Sequence, residues 1–258
     1  MFLRHKLLIW FVVLMILPVM AIAQWQPQEF EAHYQVKRNG KLAGETVSEL
    51  RKIQPNHYVY SSRTTGTKGM ASLAGVKINQ KSCFSFIDGQ LQSLSFNYKQ
   101  KIAWKKKKRH AVLDTSSQQI LGAYKKSQFS VPYDRAYVDP QLVNLALGQE
   151  ALSGWSGDKV FQVFDKNAYR EWTFSRHEAE TISLPQGDFE TIVVSKSNPQ
   201  KNRETRVWLA PRLNFIPVKI QHSEKDSVSE SILLSFSSSE QMNNDKPQAD
   251  CEILTQVE

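Results

Sequence analysis

The sequence has little of what enzymes and metal sites are built from. It contains two cysteines in 258 residues, Cys83 and Cys251, so one internal pairing is possible. A metal site on two lone cysteines with no histidine nearby is disfavoured. The histidines His33, His57, His110, His177 and His222 are scattered, with no H-x-H or H-E-x-x-H spacing. His110 and Asp114 share a face of an extended strand, which is at most a relay fragment. No G-x-S-x-G elbow is present. Gly66-Thr67-Lys68-Gly69 lacks the rest of a phosphate loop, and no βαβ rhythm or internal repeat appears. No motif names a reaction, and neither a cofactor nor a metal is expected.

Acidic residues are also in short supply. There are 25 Asp and Glu against 33 Lys and Arg, a formal net charge of +8. The first residues read as a secretory leader: Arg4 and Lys6 are basic, Leu7 to Leu17 is apolar, and Ala21-Ile22-Ala23 is an A-x-A site. Cleavage after Ala23 would leave about 235 residues with a charge near +6, placed in the periplasm. No cysteine follows the site, which argues against a lipid anchor. A basic exported chain favours anionic partners: phospholipid head groups, lipopolysaccharide or acidic glycan. Nucleic acid is not expected, and the sequence does not settle the oligomeric state.

What the sequence does contain is strand pattern. Residues 29–37 alternate through Phe30, Ala32, Tyr34 and Val36, and Asn39-Gly40 turns the chain. Further strands are expected at 41–53, 57–65, 76–87, 91–104 and 109–114, with Asp88-Gly89 as a second tight turn. Residues 66–75 read as a loop or a single helical turn, and 129–138 as mostly loop. Asp139-Pro140 then opens a short helix near 140–152, with Asp139 as N-cap and Pro140 at the first helical position. Its apolar stripe is Leu142, Leu145 and Ala146. A second run of strands follows at 158–164, 169–176, 179–184, 189–195, 205–209, 217–222 and 230–236. Pro211 and Pro217 bracket a corner that Leu213, Phe215 and Ile216 tuck against a core.

This is a mainly β chain. An antiparallel meander of this length must curl, as a barrel, half-barrel or β-roll, because open edges invite aggregation. One domain is expected over 29–236, after the leader at 1–23, with a polar tail over 237–258. Cys83 and Cys251 either pair, pinning that tail to the sheet with ~4–5 kcal/mol from chain entropy, or stay as thiols. The aromatics Phe96, Tyr98, Trp155, Phe161, Phe164, Trp172, Phe174 and Trp208 read as core, or as a cavity lining if the interior is hollow.

The sharpest local feature is Lys105, Lys106, Lys107, Lys108 and Arg109, after Trp104. Strand neighbours face opposite sides, so five consecutive cations form either a hairpin tip or a part of the sheet that is wet on both faces. With Trp104 and Tyr98 they make a candidate finger for an anionic, lipid-like surface. The leading functional expectation is therefore a non-enzymatic exported protein that binds an amphiphile or an anionic envelope surface. The rivals are a scaffold that docks an envelope partner at a sheet edge, and a hydrolase of envelope material that no motif supports.

Three stretches carry a resemblance. They are Leu184-Pro185-Gln186-Gly187-Asp188-Phe189, Val207-Trp208-Leu209-Ala210-Pro211, and Phe215-Ile216-Pro217-Val218-Lys219-Ile220. With the opening Phe30-x-Ala32-x-Tyr34 strand and the Asp139-Pro140 helix start, they resemble the bacterial exported domain-of-unknown-function family 3108. Arg212 departs from that pattern, where an acidic residue is expected. The resemblance implies an exported, mostly β protein and brings no catalytic residues.

Overall fold

The computed structural model describes residues 25–239 and Cys251. The expected leader and most of the expected tail lie outside the described residues. The first strands are β1 (Phe30–Arg38), β2 (Lys41–Gln54), β3 (His57–Gly66), β4 (Lys77–Ile87) and β5 (Gln90–Ile102). Next come β6 (Lys105–Asp114), β7 (Gln119–Tyr124) and β8 (Ser127–Pro132). After a helix follow β9 (Asp158–Asp165), β10 (Ala168–Arg176), β11 (Glu180–Leu184), β12 (Gly187–Asn198), β13 (Arg203–Ala210), β14 (Ile216–Glu224) and β15 (Ser227–Ser238). Two helices interrupt them, α1 (Gly69–Leu73) and α2 (Val143–Leu152).

All fifteen strands belong to one antiparallel sheet. Its order is β8-β7-β6-β5-β4-β3-β2-β1-β15-β14-β13-β12-β10-β9, with β11 on the side of β12. The first and last long strands, β1 and β15, therefore meet in the middle. Asn39-Gly40 and Asp88-Gly89 turn with both residues at positive φ, the geometry that fits a two-residue hairpin to the sheet's twist.

The sheet curls without closing its ladder. The chain before α2 rivets it instead: Ser93 N–H donates to the Tyr137 carbonyl at 3.1 Å, and Val138 bridges in parallel to Val163 on β9. Phe164 of β9 then packs among Ala111, Leu113, Ile120 and Tyr137, with Phe129 of β8 against it. The end strands thus meet through side chains. Inside the curl, Leu50, Phe84, Val163, Val193, Leu209 and Leu233 are fully buried, and α2 with Leu142 just before it plugs the space, adding Leu145 and Leu147. Side chains from the sheet and α2 form one continuous core there.

Two readings need correction. Residues 127–132 are strand, paired with β7, where mostly loop is expected from 129. Neither strand advertises itself, because β7 is interrupted by Gly122. That glycine is there for want of space: a Cβ would lie 2.2 Å from the His110 carbonyl oxygen and 2.5 Å from the Phe129 ring. The helix starts at Val143, three residues after Pro140, behind a turn that Val143 N–H closes by donating to the Asp139 carbonyl at 3.3 Å. Asp139 still caps that turn, accepting from Gln141 N–H at 2.9 Å and Leu142 N–H at 3.1 Å.

The same carboxylate reaches the sheet. Ser82 Oγ on β4 donates to Oδ1 at 2.8 Å and Ser93 Oγ on β5 donates to Oδ2 at 2.8 Å. Asp139 is 1% exposed, and burial pushes its carboxyl up to about 6, against the lowering pull of its four donors. A carboxyl raised above its unfolded value stabilises the fold most when protonated. Its contribution is full below about pH 4 and is lost as pH rises through about 6. Asp139→Asn should therefore flatten the stability change between pH 4 and pH 7. Asp139→Ala, which takes the acceptor from four donors and leaves only Ser82 a second partner in Gln141 Oε1 at 3.3 Å, should cost ~3 kcal/mol or more. Urea unfolding at both pH values checks this. A wild-type-to-Asn difference that does not vary with pH would remove Asp139 as the titrating group.

Candidate functional site

The turn between β5 and β6 is Ala103-Trp104, with Ala103 at φ 51°. Lys105 to Lys108 follow it as strand and are all exposed. Of the two readings of the cationic run, the wet-faced overhang is the one observed, and the turn itself holds Trp104. That indole is 85% exposed.

Register brings in lysines that no local pattern connects. Lys99 lies opposite Lys108 and Lys101 opposite Lys106, while on the other side Lys101 faces Lys77 of β4. Lys77, Lys101 and Lys106 thus stand abreast on three neighbouring strands. Directly opposed like charges destabilise a sheet.

The short helix α1 joins this end. Gly66 N–H donates to the Val76 carbonyl, Lys68 N–H to the Ala43 carbonyl, and Ala103 N–H to the Ala74 carbonyl at 2.6 Å. The crossing is close: a Cβ on Gly66 would lie 2.5 Å from the Ala71 carbonyl oxygen. Strapped between the β1–β2 hairpin and the β5–β6 turn, α1 buries none of its residues and exposes Met70 at 77% and Leu73 at 83%. Leu42 and Ile102 are exposed at the flanks. One end of the sheet therefore carries five exposed large apolar side chains beside a row of lysines. Sequence reading finds Trp104 and the run behind it. It misses Leu42, Met70, Leu73, Lys77 and Lys101, which only register and the α1 strap bring together.

Two residues leave the expected finger. Arg109 donates to Asp165 Oδ1 at 2.9 Å, and its guanidinium lies 4.2 Å from the centroid of the Tyr98 ring. Both are half-buried, and they tie β5 and β6 to β9 as part of the closure. His110 and Asp114 form no relay: Asp114 accepts from Ser116 and Ser117, which hold its carboxyl down at about 2. Cys83 and Cys251 are joined in a disulfide with Cα atoms 5.9 Å apart. Arg212 lies with its guanidinium 3.8 Å from the Phe189 ring centroid. In the corner, Trp208 Nε1 donates to Glu180 Oε2 at 2.8 Å, and Arg206 Nη2 donates to Glu180 Oε1 at 2.6 Å.

Among the described residues no group of three or more His, Cys, Asp or Glu is placed to hold a metal ion. Among them, too, no helix is long and apolar enough to cross a membrane. Asp139 is the carboxyl furthest displaced upward, but it is sealed in the interior and serves the fold.

The lysine row makes a direct prediction. Lys106→Glu puts an anion opposite Lys101 and should raise the urea midpoint at low salt. The gain should fade in 1 M salt, where the Debye length is about 3 Å. A gain that survives high salt would show that charge is not its cause.

Among curated proteins none matches this sequence. Among solved structures, a β-barrel-like protein of domain of unknown function DUF1849 from Brucella abortus is similar, with a TM-score of 0.56 at 11% identity. The match covers 84% of this chain and 99% of that one, and shows a shared fold. A candidate lipoprotein from Parabacteroides distasonis aligns over 83% of this chain and 97% of its own, at 10% identity and a TM-score of 0.33. The family described as protein of unknown function DUF3108 matches residues 29–229. The chain belongs to the DUF3108 family.

Proposed function

We propose that this protein is exported to the periplasm and docks on an anionic lipid surface through the β5–β6 end of its sheet. The observation that carries the reading is the pairing of Trp104, Met70 and Leu73, all largely exposed, with the row Lys77, Lys101 and Lys106. Trp is at home at a membrane interface, where its ring meets the acyl boundary and its N–H meets water. Lysines beside it contribute up to ~1 kcal/mol each near an anionic surface, and that contribution falls with salt. Neither part is enough alone. A few apolar side chains insert weakly, and lysines alone remain screened in water. The mutual repulsion of the lysines is relieved when anionic head groups lie between them.

Phospholipid head groups and lipopolysaccharide share this chemistry. The leader-like first residues, with their basic start and Ala21-Ile22-Ala23 site, support export. The reading needs no chemical step from the protein.

The test is sedimentation with vesicles. Protein without the leader should bind vesicles containing phosphatidylglycerol, bind pure phosphatidylcholine far less, and release as salt rises. The triple variant Trp104→Ala, Lys106→Glu, Lys108→Glu should lose at least tenfold in binding. Leu73→Ser with Met70→Ser should do the same with the charges intact. All these positions are exposed, so circular dichroism should be unchanged. Binding by the triple variant equal to the parent's would refute the docking end.

A further inference from the structure

A second feature lies away from the hairpin end. Strands β10 and β12 pair only through Ser175 with Ser195 and Arg176 with Val194. Beyond that point they fork. Residues 168–174 of β10 pair only with β9, and Lys196 to Asn198 of β12 pair only with β13. The fork opens a cleft of about 1000 Å³, at the upper end of the volumes that hold small-molecule ligands.

The floor of the cleft is apolar. Phe174, Val207 and Val143 line it and belong to the main core, with Ile220 beside them. Its mouth is cationic. Lys196 Nζ on the β12 side sits 3.4 Å from the Trp172 ring centroid on the β10 side, with Arg170 also on β10 and Lys201 just after β12 among the lining residues. The acids nearby are engaged elsewhere: Asp165 accepts from Arg109 and Glu171 from Gln162. Arg203 is paired with Glu224, which also lies 3.9 Å from His222. Among the described residues, Arg170, Lys196 and Lys201 have no carboxylate within ion-pairing distance.

We propose that the β10–β12 fork binds a single-chain anionic amphiphile, with its chain over Phe174, Val207 and Ile220 and its head on Lys196, Arg170 and Lys201. A bare acyl chain would leave three cations unanswered, and a small anion would leave the part-exposed apolar surface at Ile220 uncovered. One ligand with both parts satisfies both surfaces. Lys196 gains most: it is half-buried, and burial lowers its ammonium to about 8, so an anion beside it offsets a desolvation cost that the Asp165 carboxylate and the Trp172 ring offset only in part. This site is independent of the proposed docking end and does not rest on it.

The test uses the mature chain in solution with single-chain probes below their critical micelle concentrations. Dodecyl phosphate and laurate separate a phosphate head from a carboxylate head, monolaurin is the uncharged control, and inorganic phosphate is the chainless one. By native mass spectrometry and tryptophan fluorescence, at least one anionic probe should bind one per chain. Monolaurin should bind at least tenfold more weakly, and inorganic phosphate should not compete at equal concentration. Lys196→Glu should lose at least tenfold. Ile220→Trp, at a half-buried position, should block the chain without disturbing the mouth. The triple variant at Trp104, Lys106 and Lys108 should keep the parent's affinity for these probes. Equal binding of monolaurin, full competition by inorganic phosphate, an unaffected Lys196→Glu, or loss of binding in the triple variant would each overturn the assignment.

Discussion

A carboxylate sealed in the interior holds this fold to its register. Asp139 takes Ser82 from β4, Ser93 from β5 and two backbone N–H groups from the turn before α2. Buried charge is costly unless every lone pair is answered. Here the answers come from three separate parts of the chain, so a slip of either strand or of the helix would leave the carboxylate short of donors. The neighbouring backbone, Tyr137 and Val138, bonds to β5 on one side and β9 on the other. The same few residues therefore plug the interior and join two distant regions of the sheet.

That rivet explains how the curl is held without a closed ladder. Phe164 and the Arg109–Asp165 pair complete the closure from the β9 side. Arg109 is thereby spent on structure. Beyond it, β5 and β6 run past the core, both faces are wet, and the sequence there is free to be lysine on successive positions. The end of the hairpin is a consequence of where the core stops. The α1 strap then adds apolar side chains that the core does not use.

The two proposed surfaces divide the work along physical lines. The hairpin end exposes Trp104, Met70 and Leu73 beside its lysines, suited to a surface larger than the protein. The β10–β12 fork is concave with an apolar floor, suited to one chain at a time. Among the described residues, both carry lysines or arginines with no carboxylate at ion-pairing distance, which is where excess positive charge becomes local. The Trp208 corner, the most distinctive stretch of the sequence, is occupied otherwise: Glu180 grips Trp208 and Arg206, and Tyr34 OH donates to the Pro217 carbonyl at 2.9 Å.

Much of the fold was legible. Period-two alternation in β1, the positive-φ turns at Asn39-Gly40 and Asp88-Gly89, and the prolines at the corner are local signals with local causes, and they led to an antiparallel curled meander. β7 and β8 were not legible, because Gly122 marks close packing and weakens the strand pattern that would reveal it. In the candidate docking end, Trp104 and Lys105 to Lys108 could be read directly, since a run of cations cannot be buried. Lys77 and Lys101 could not, nor could Met70 and Leu73, because their neighbours are set by cross-strand register and by the backbone bonds of α1. Trp172 and Phe174 of the β10–β12 fork could be read only as aromatics that pack a core or line a cavity; where the strands part had no sequence signal. The sequence by itself determined strand, turn and exposure, which depend on a residue and its nearest neighbours. Only the tertiary structure decided which strands part, which lysines face each other and where Asp139 finds its donors, because those are contacts between segments far apart in the chain.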